Sequence, residues 1–550
     1  MQRLLLSAAV AAFALVATAA EPSPPAAEAM KHGESTPGEK KAEVKPPAEM
    51  KPGEEMTPET MAAEKTRGKP QDGDKAMTAD TPAKAAAASP AASTLALSPA
   101  ADARIDAMAA RIDALLTEAW AERDIEPAGP AADSRFLRRV FLDLVGRIPR
   151  GTEAREFLRD TSPAARRQLV ERLLASREHA DYMGSVWHGA LLPDVGGSTS
   201  LEPWLADKFA GNTGYDQIAR SIVLAAAKGG GEANLAQPLD RKPTELAAAV
   251  SRTFLGTQIQ CAECHKHPTD VWTQDDFQGF AAFFGAVTHP QTKAAVSPRF
   301  LGDTAVVDAG RPARPQLADW LASPANPWFA KAAVNRLWGL LFGAGIVHPI
   351  DDLGGHNTPE HAGMLDELAG FFAAGQWNHR DVLRVLTRTR AYGLAGGDGR
   401  LFAAMPLEPL NAVQLYNSLA TAYQSPRLAG NVQRFAGQAT PVDQFLAKFR
   451  TAPGQERDYT AGIPQAITMM NGQLFDPMRA VYNEVMLAAQ DDSERVAALF
   501  LATVSRPPTP AETQKCLEVL GREQDSAGRR LALLDIHWAL VNSAEFAFSP

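Results

Sequence analysis

The feature that most constrains this fold is a change of patterning at Ala101, where apolar residues begin to recur at helical spacing and continue to do so nearly to the C-terminus. Ile105, Met108, Ile112, Leu115 and Leu116 put one apolar stripe on a first amphipathic helix. Phe136, Val140, Leu144 and Val145 repeat the pattern, with Pro149 expected to end that helix and Ser162-Pro163 to cap and open another. Helical spacing recurs over 215–228, 243–260 and 273–284, breaks at 291–313, and returns in 326–341, 359–374, 378–389, 411–423, 495–504 and 509–522. The expected fold is mainly α: a multi-helical two-domain protein, 101–290 and 315–550, joined by a short irregular or hairpin connector at 291–314.

Upstream of Ala101 the chain is of another kind. Residues 21–100 contain no Phe, Trp, Tyr or Ile and are crowded with Ala, Pro, Lys and Glu, so they are expected to be a disordered low-complexity tether. Residues 1–20 combine Arg3, an apolar run from Leu4 to Val16 and small residues at Ala17 to Ala20, the pattern of a signal peptide. The run falls short of the roughly 20 apolar residues that span a bilayer. The expected mature chain is exported to the periplasm or cell surface and has no transmembrane span. A formal net charge of -9, without a concentrated basic face, excludes nucleic acid as a partner.

Export makes the cysteines informative, because an exported chain stabilised by disulfides carries more than three of them. Cys516 sits in an amphipathic segment and reads as a small buried apolar residue. Cys261 and Cys264 form Cys261-Ala-Glu-Cys264-His265, the CxxCH pattern of covalent haem c attachment, in which two thiols hold the porphyrin and His265 ligates the iron. Phe254 before the motif and Trp272, Phe277, Phe280, Phe283 and Phe284 after it either wall a porphyrin or form ordinary core. His267 opens an alternative cluster for zinc or another metal, Cys261, Cys264, His267 and His289; a third alternative is a structural disulfide with no cofactor. Met183, His188, His289 and Met469-Met470 are candidate sixth ligands among which spacing does not choose.

A weaker constellation places Asp351, Asp352, His356 and His361 within one loop, suited to a divalent metal or a general base. The competing reading is a helix start, with Asn357 or Thr358 as cap and Pro359 in the first turn. No nucleophile-elbow, zincin, phosphate-loop or dinucleotide-binding pattern occurs, so no catalytic motif is recognisable.

Three blocks, Phe136-Leu-Arg-Arg-Val-Phe-Leu-Asp-Leu-Val-Gly-Arg-Ile-Pro149, Phe254 to Pro268 and Asp276 to Phe284, resemble the planctomycete cytochrome-associated PSCyt family, domain of unknown function 1549, over about 104–288. Asn326 to Trp338, Gly345 to Asp352 and Asn357 to His361 are similar to its companion PSD family, domain of unknown function 1553, over about 315–548. The resemblance implies export, a helical fold and linkage to cytochrome-c-like modules, with no established reaction. The chain departs from the family in reading Val186-Trp187-His188-Gly189 where a His-Trp pair before an acidic residue is usual, and in carrying the tether where some relatives carry a cytochrome domain. The expected function is a c-type-cytochrome-like electron-transfer component with an exported redox or docking partner; the alternative is a non-catalytic structural or interaction protein.

Overall fold

The structure, a computed structural model, describes residues 97–193, 200–225, 235, 239, 242–303, 305–357, 359, 361–424, 441–449, 485 and 491–549. The expected signal peptide, the tether as far as residue 96 and Met469-Met470 lie outside them. Among the described residues the fold is mainly α, with two short strands. No described helix is long and apolar enough to cross a membrane.

The N-terminal helices are α1 (Pro99–Glu122), α2 (Asp133–Val145), α3 (Gly151–Arg159), α4 (Ala165–Ala175), α5 (Arg177–Leu191), α6 (Leu201–Ala210), α7 (Tyr215–Ala225), α8 (Pro243–Val250) and α9 (Gln274–Ala281). Helix α1 starts where Ser98 Oγ accepts the Ala101 amide at 3.2 Å and Pro99 supplies a preset φ. Some expected boundaries move. Helix α2 ends before Pro149 is reached, because Gly146 turns to φ +66°, where a Cβ would also lie 2.3 Å from the Tyr182 ring. Ser162 and Pro163 form a turn ahead of α4, whose first amide, on Ala165, bonds the Ser162 carbonyl at 3.0 Å.

The connector is irregular, as its composition predicts. Its hairpin-like part is a single antiparallel bridge between Thr288 and Ala295, followed by a short turn at Leu301–Asp303. Beyond it come α10 (Ala313–Leu321), α11 (Phe329–Phe342), α12 (Ala362–Ala374), α13 (His379–Arg388), α14 (Ala412–Ala422), α15 (Pro441–Phe449), α16 (Asp492–Val504), α17 (Pro510–Gly521), α18 (Ser526–Val541) and α19 (Ala544–Ala547). Helix α12 starts later than Asn357 or Thr358 would have it, with His361 in the cap position. Strand β1 (Glu408–Pro409) pairs antiparallel with β2 (Phe548–Ser549) and fastens the C-terminal segment.

The buried apolar residues fall into two clusters that do not divide at the connector. One runs from Ile105 to Met405 and takes in Leu501, drawing on helices from both sides of 291–314, and the other gathers further residues of 410–546 around Leu142 and Ile148. Helix α2 and the turn after it thus belong to both, and every residue of α2 from Phe136 to Val145 is buried. Its charged groups must therefore be satisfied by protein. Arg138 donates to the carbonyls of Thr503 at 3.2 Å and Phe546 at 2.7 Å, and Arg139 to those of Tyr392 at 2.6 Å and Leu394 at 3.1 Å. Just beyond the helix, Arg147 bridges Glu153 at 2.7 Å and Glu178 at 2.6 Å.

Replacing Arg138 by Ala leaves these carbonyls without donors and is expected to cost about 3 kcal/mol, read as a lower urea midpoint. A pH dependence follows from Asp143, whose carboxylate accepts the Tyr392 hydroxyl at 2.8 Å. Burial lifts its pKa from 3.8 to about 8, outweighing Tyr392 and Arg139, which favour the charged form. The folded state keeps a proton that the unfolded chain has released, so this contribution is full below pH 3.8 and is lost as pH rises towards about 8. Asp143→Asn, with its amide oxygen still able to accept from Tyr392, should flatten that decline in urea denaturation across this range.

Candidate functional site

The CxxCH segment lies in the loop after α8. The helix closes in a wide turn over Ser251–Leu255, Gly256 takes φ +58°, and the chain re-enters one turn of 3₁₀ helix at Gln260–Glu263. Cys261 lies within this turn and Cys264 caps its end. Both are exposed free thiols, whereas Ala262 between them is fully buried and anchors the turn. From below, Gln274 and Gln278 of α9 donate to the Glu263 carbonyl at 2.9 and 3.1 Å. The amide of His267 bonds the Trp272 carbonyl at 2.9 Å and closes the loop.

The three imidazoles near the motif differ in tautomer, as fixed by backbone partners. His265 is exposed and its Nδ1 lies 2.7 Å from the Lys266 carbonyl oxygen, which only accepts, so Nδ1 carries the proton and the Nε2 lone pair is free. His267 is the reverse: its Nδ1 accepts the Asp270 amide at 3.0 Å, which leaves the proton on Nε2. His289 repeats that arrangement, with Nδ1 accepting the amides of Gln291 and Thr292 at 3.2 Å and Nε2 3.2 Å from Asp275 Oδ1. His267 and His289 thus brace the turns that follow them, and neither presents a lone pair to a metal in this conformation. The set Cys261, Cys264, His267 and His289 is not gathered into ligating distance.

The aromatic residues around the motif are core. Phe254, Phe277 and Phe280 are fully buried; Phe254 packs on Tyr215 with centroids 5.9 Å apart, Trp272 on Trp328 at 5.9 Å, and Phe283 on Phe300 at 5.0 Å. The donor set of two neighbouring free thiols and an imidazole with a free Nε2 fits haem c in its chemistry, but the aromatics do not stand open as a wall. Met183 is buried in α5, and His188 of the same helix is 9% exposed.

The second constellation divides. Fully buried Asn335 of α11 holds 347–350 by donating to the Val347 carbonyl at 2.8 Å and accepting the Val347 amide at 2.9 Å. Asp351 is then buried and taken up by the Gln258 side chain at 2.9 Å, and His361 lies at the start of α12. Asp352 and His356 stay together, with His356 Nε2 3.0 Å from Asp352 Oδ2. The Leu353 amide donates to the Gly256 carbonyl at 2.6 Å, docking this loop onto the turn that precedes the CxxCH segment. Asp270, which no sequence pattern singled out, thereby joins Asp352 and His356, and the ligand atoms of the three lie within 4.8 Å of one another.

Residues 111–289 match the model of the PSCyt2 family, a protein of unknown function (DUF1549), and residues 313–431 match that of PSD1, a protein of unknown function (DUF1553), in the order the sequence blocks lead one to expect. No curated protein and no solved structure matches the chain.

The bracing role of His267 is open to test. An Asn side chain can accept the same amides, so His267→Asn should retain nearly the wild-type thermal midpoint, whereas His267→Ala should lose about 1 kcal/mol.

Proposed function

From a chain that joins a PSCyt2 region to a PSD1 region, we propose an exported, c-type-cytochrome-like electron-transfer component carrying one haem on Cys261, Cys264 and His265. The observation that carries this reading is the tautomer of His265. Its Nδ1–H is held by the Lys266 carbonyl at 2.7 Å, so Nε2 is the nitrogen available to iron, and the bond fixes the ring's orientation as outer partners of ligating imidazoles do. His267 and His289, with Nδ1 engaged by backbone amides, do not compete for that role.

The exposed thiols are accessible for attachment without any opening of the core. Each adds across one porphyrin vinyl group: a carbon–sulfur bond forms, the thiol hydrogen passes to the other vinyl carbon, and no electrons are exchanged with an outside agent. When bound, the group supplies a one-electron couple. Export is supported by the apolar run and small residues of 1–20, and the periplasm or cell surface is the compartment it implies.

One observation favours a second reading, a structural or interaction protein whose cysteines form a disulfide or metal staple: the aromatic residues beneath the motif are consumed by the core. The two readings separate in one experiment. Expression of the full chain with a haem-maturation system should give a red protein with a c-type reduced-pyridine band and a mass one haem above the bare polypeptide. Cys261→Ser with Cys264→Ser should abolish both signals. Bare polypeptide mass in the wild type overturns the haem reading, and thiol counting beside metal analysis then identifies the staple.

A further inference from the structure

We propose that Asp270, Asp352 and His356 form a divalent-cation site at the seam where the PSCyt2 and PSD1 regions meet. Each contributes one ligand atom, and among the described residues this is the one group of three or more His, Cys, Asp or Glu whose ligand atoms lie within 4.8 Å of one another. Asp270 belongs to the turn after the CxxCH motif, in the first matched region, and the other two to the loop after α11, in the second.

Backbone and side-chain hydrogen bonds hold both halves in register. Leu353 bonds Gly256, Gln258 bonds Asp351 at 2.9 Å, and the Asn357 side chain donates to the Asp352 carbonyl at 3.0 Å. Gly354 lies at the centre. A Cβ there would stand 2.5 Å from Asp270 Oδ2 and 2.8 Å from His356 Nδ1, so only a residue without a side chain lets that carboxylate and that imidazole close over the loop.

Charge supplies an independent argument. Several partly buried carboxylates elsewhere in the fold face guanidinium groups: Asp381 faces Arg104 and Arg384, Glu153 faces Arg147, and Glu171 faces Arg384. Among the described residues neither Asp270 nor Asp352 has an Arg or Lys partner, and His356 is the sole ionisable group paired with Asp352. Two half-buried carboxylates drawn together without a cation repel each other, and a bound divalent ion removes that repulsion.

Two carboxylates and one imidazole select a first-row transition ion such as zinc, iron(II) or, less tightly, manganese over calcium, which takes six to eight oxygen ligands. Three protein donors leave coordination positions open to water or to a further ligand. The site does not depend on haem attachment, since none of its residues belongs to the CxxCH set.

The test uses the full chain carrying Cys261→Ser and Cys264→Ser, exposed positions at which serine leaves the fold intact and removes the thiols as rival zinc ligands. Calorimetric titration with Zn²⁺ should show one ion per chain, with Mn²⁺ competing and Ca²⁺ not. Asp270→Asn, Asp352→Asn and His356→Gln should each weaken binding about tenfold or more, and Asp124→Asn should leave it unchanged. Circular dichroism checks that each variant keeps its helix content; a variant that loses it is set aside and the remaining two decide. No zinc uptake, uptake indifferent to the substitutions, or a preference for Ca²⁺ overturns the proposal.

Discussion

Helix α2 is buried on every side from Phe136 to Val145, and its burial is the constraint on which the rest of the fold depends. An apolar helix buried all round would pack against whatever neighbours were offered. This one carries Arg138, Arg139 and Asp143, each of which needs a specific partner once water is excluded. Arg138 finds its partners in the carbonyls of the C-terminal segment and Arg139 in those near residue 393, while Asp143 reaches Tyr392. Burial pulls the pKa of Arg138 down to about 10, which still leaves it charged at neutral pH. The polar demands of one helix therefore fix where segments more than two hundred residues downstream must lie.

The CxxCH turn and the Asp352 loop are positioned by the same kind of demand, made on the backbone. Gly256, with φ +58°, points its carbonyl outward after α8 and receives the Leu353 amide at 2.6 Å. A side chain at Gly256 would also crowd Leu353 at 2.9 Å. This contact makes neighbours of two segments that look unrelated along the chain. The thiols stay exposed, and the two aspartates and His356 converge.

Much of the helical architecture was legible because it is written in local terms. Thr509 and Glu512 form a capping box at the start of α17, Asn378 caps α13 and Asn411 caps α14, each within a residue of where apolar spacing places a helix. Where the reading moved, a local signal had lost to a tertiary one. Gly146 ended α2 ahead of Pro149, with Tyr182 packed where a Cβ would go. At the site, the Cys and His residues were visible by spacing. Their tautomers were not, because the proton on His265 is set by the Lys266 carbonyl and that on His267 by the Asp270 amide.

The sequence by itself determined the mainly helical class, the irregular connector, the tandem of two family regions and the spacing of Cys261, Cys264 and His265, because periodicity, turn chemistry and residue type act over a few neighbouring positions. Tertiary structure alone decided that the apolar cores cross the connector, that the aromatics beside the motif are packed inside, and that Asp270 meets Asp352 and His356. The physical reason is range. Helix formation responds to contacts three and four residues apart, whereas a buried guanidinium or a group of converging carboxylates is satisfied by atoms whose separation along the chain leaves no mark on local spacing.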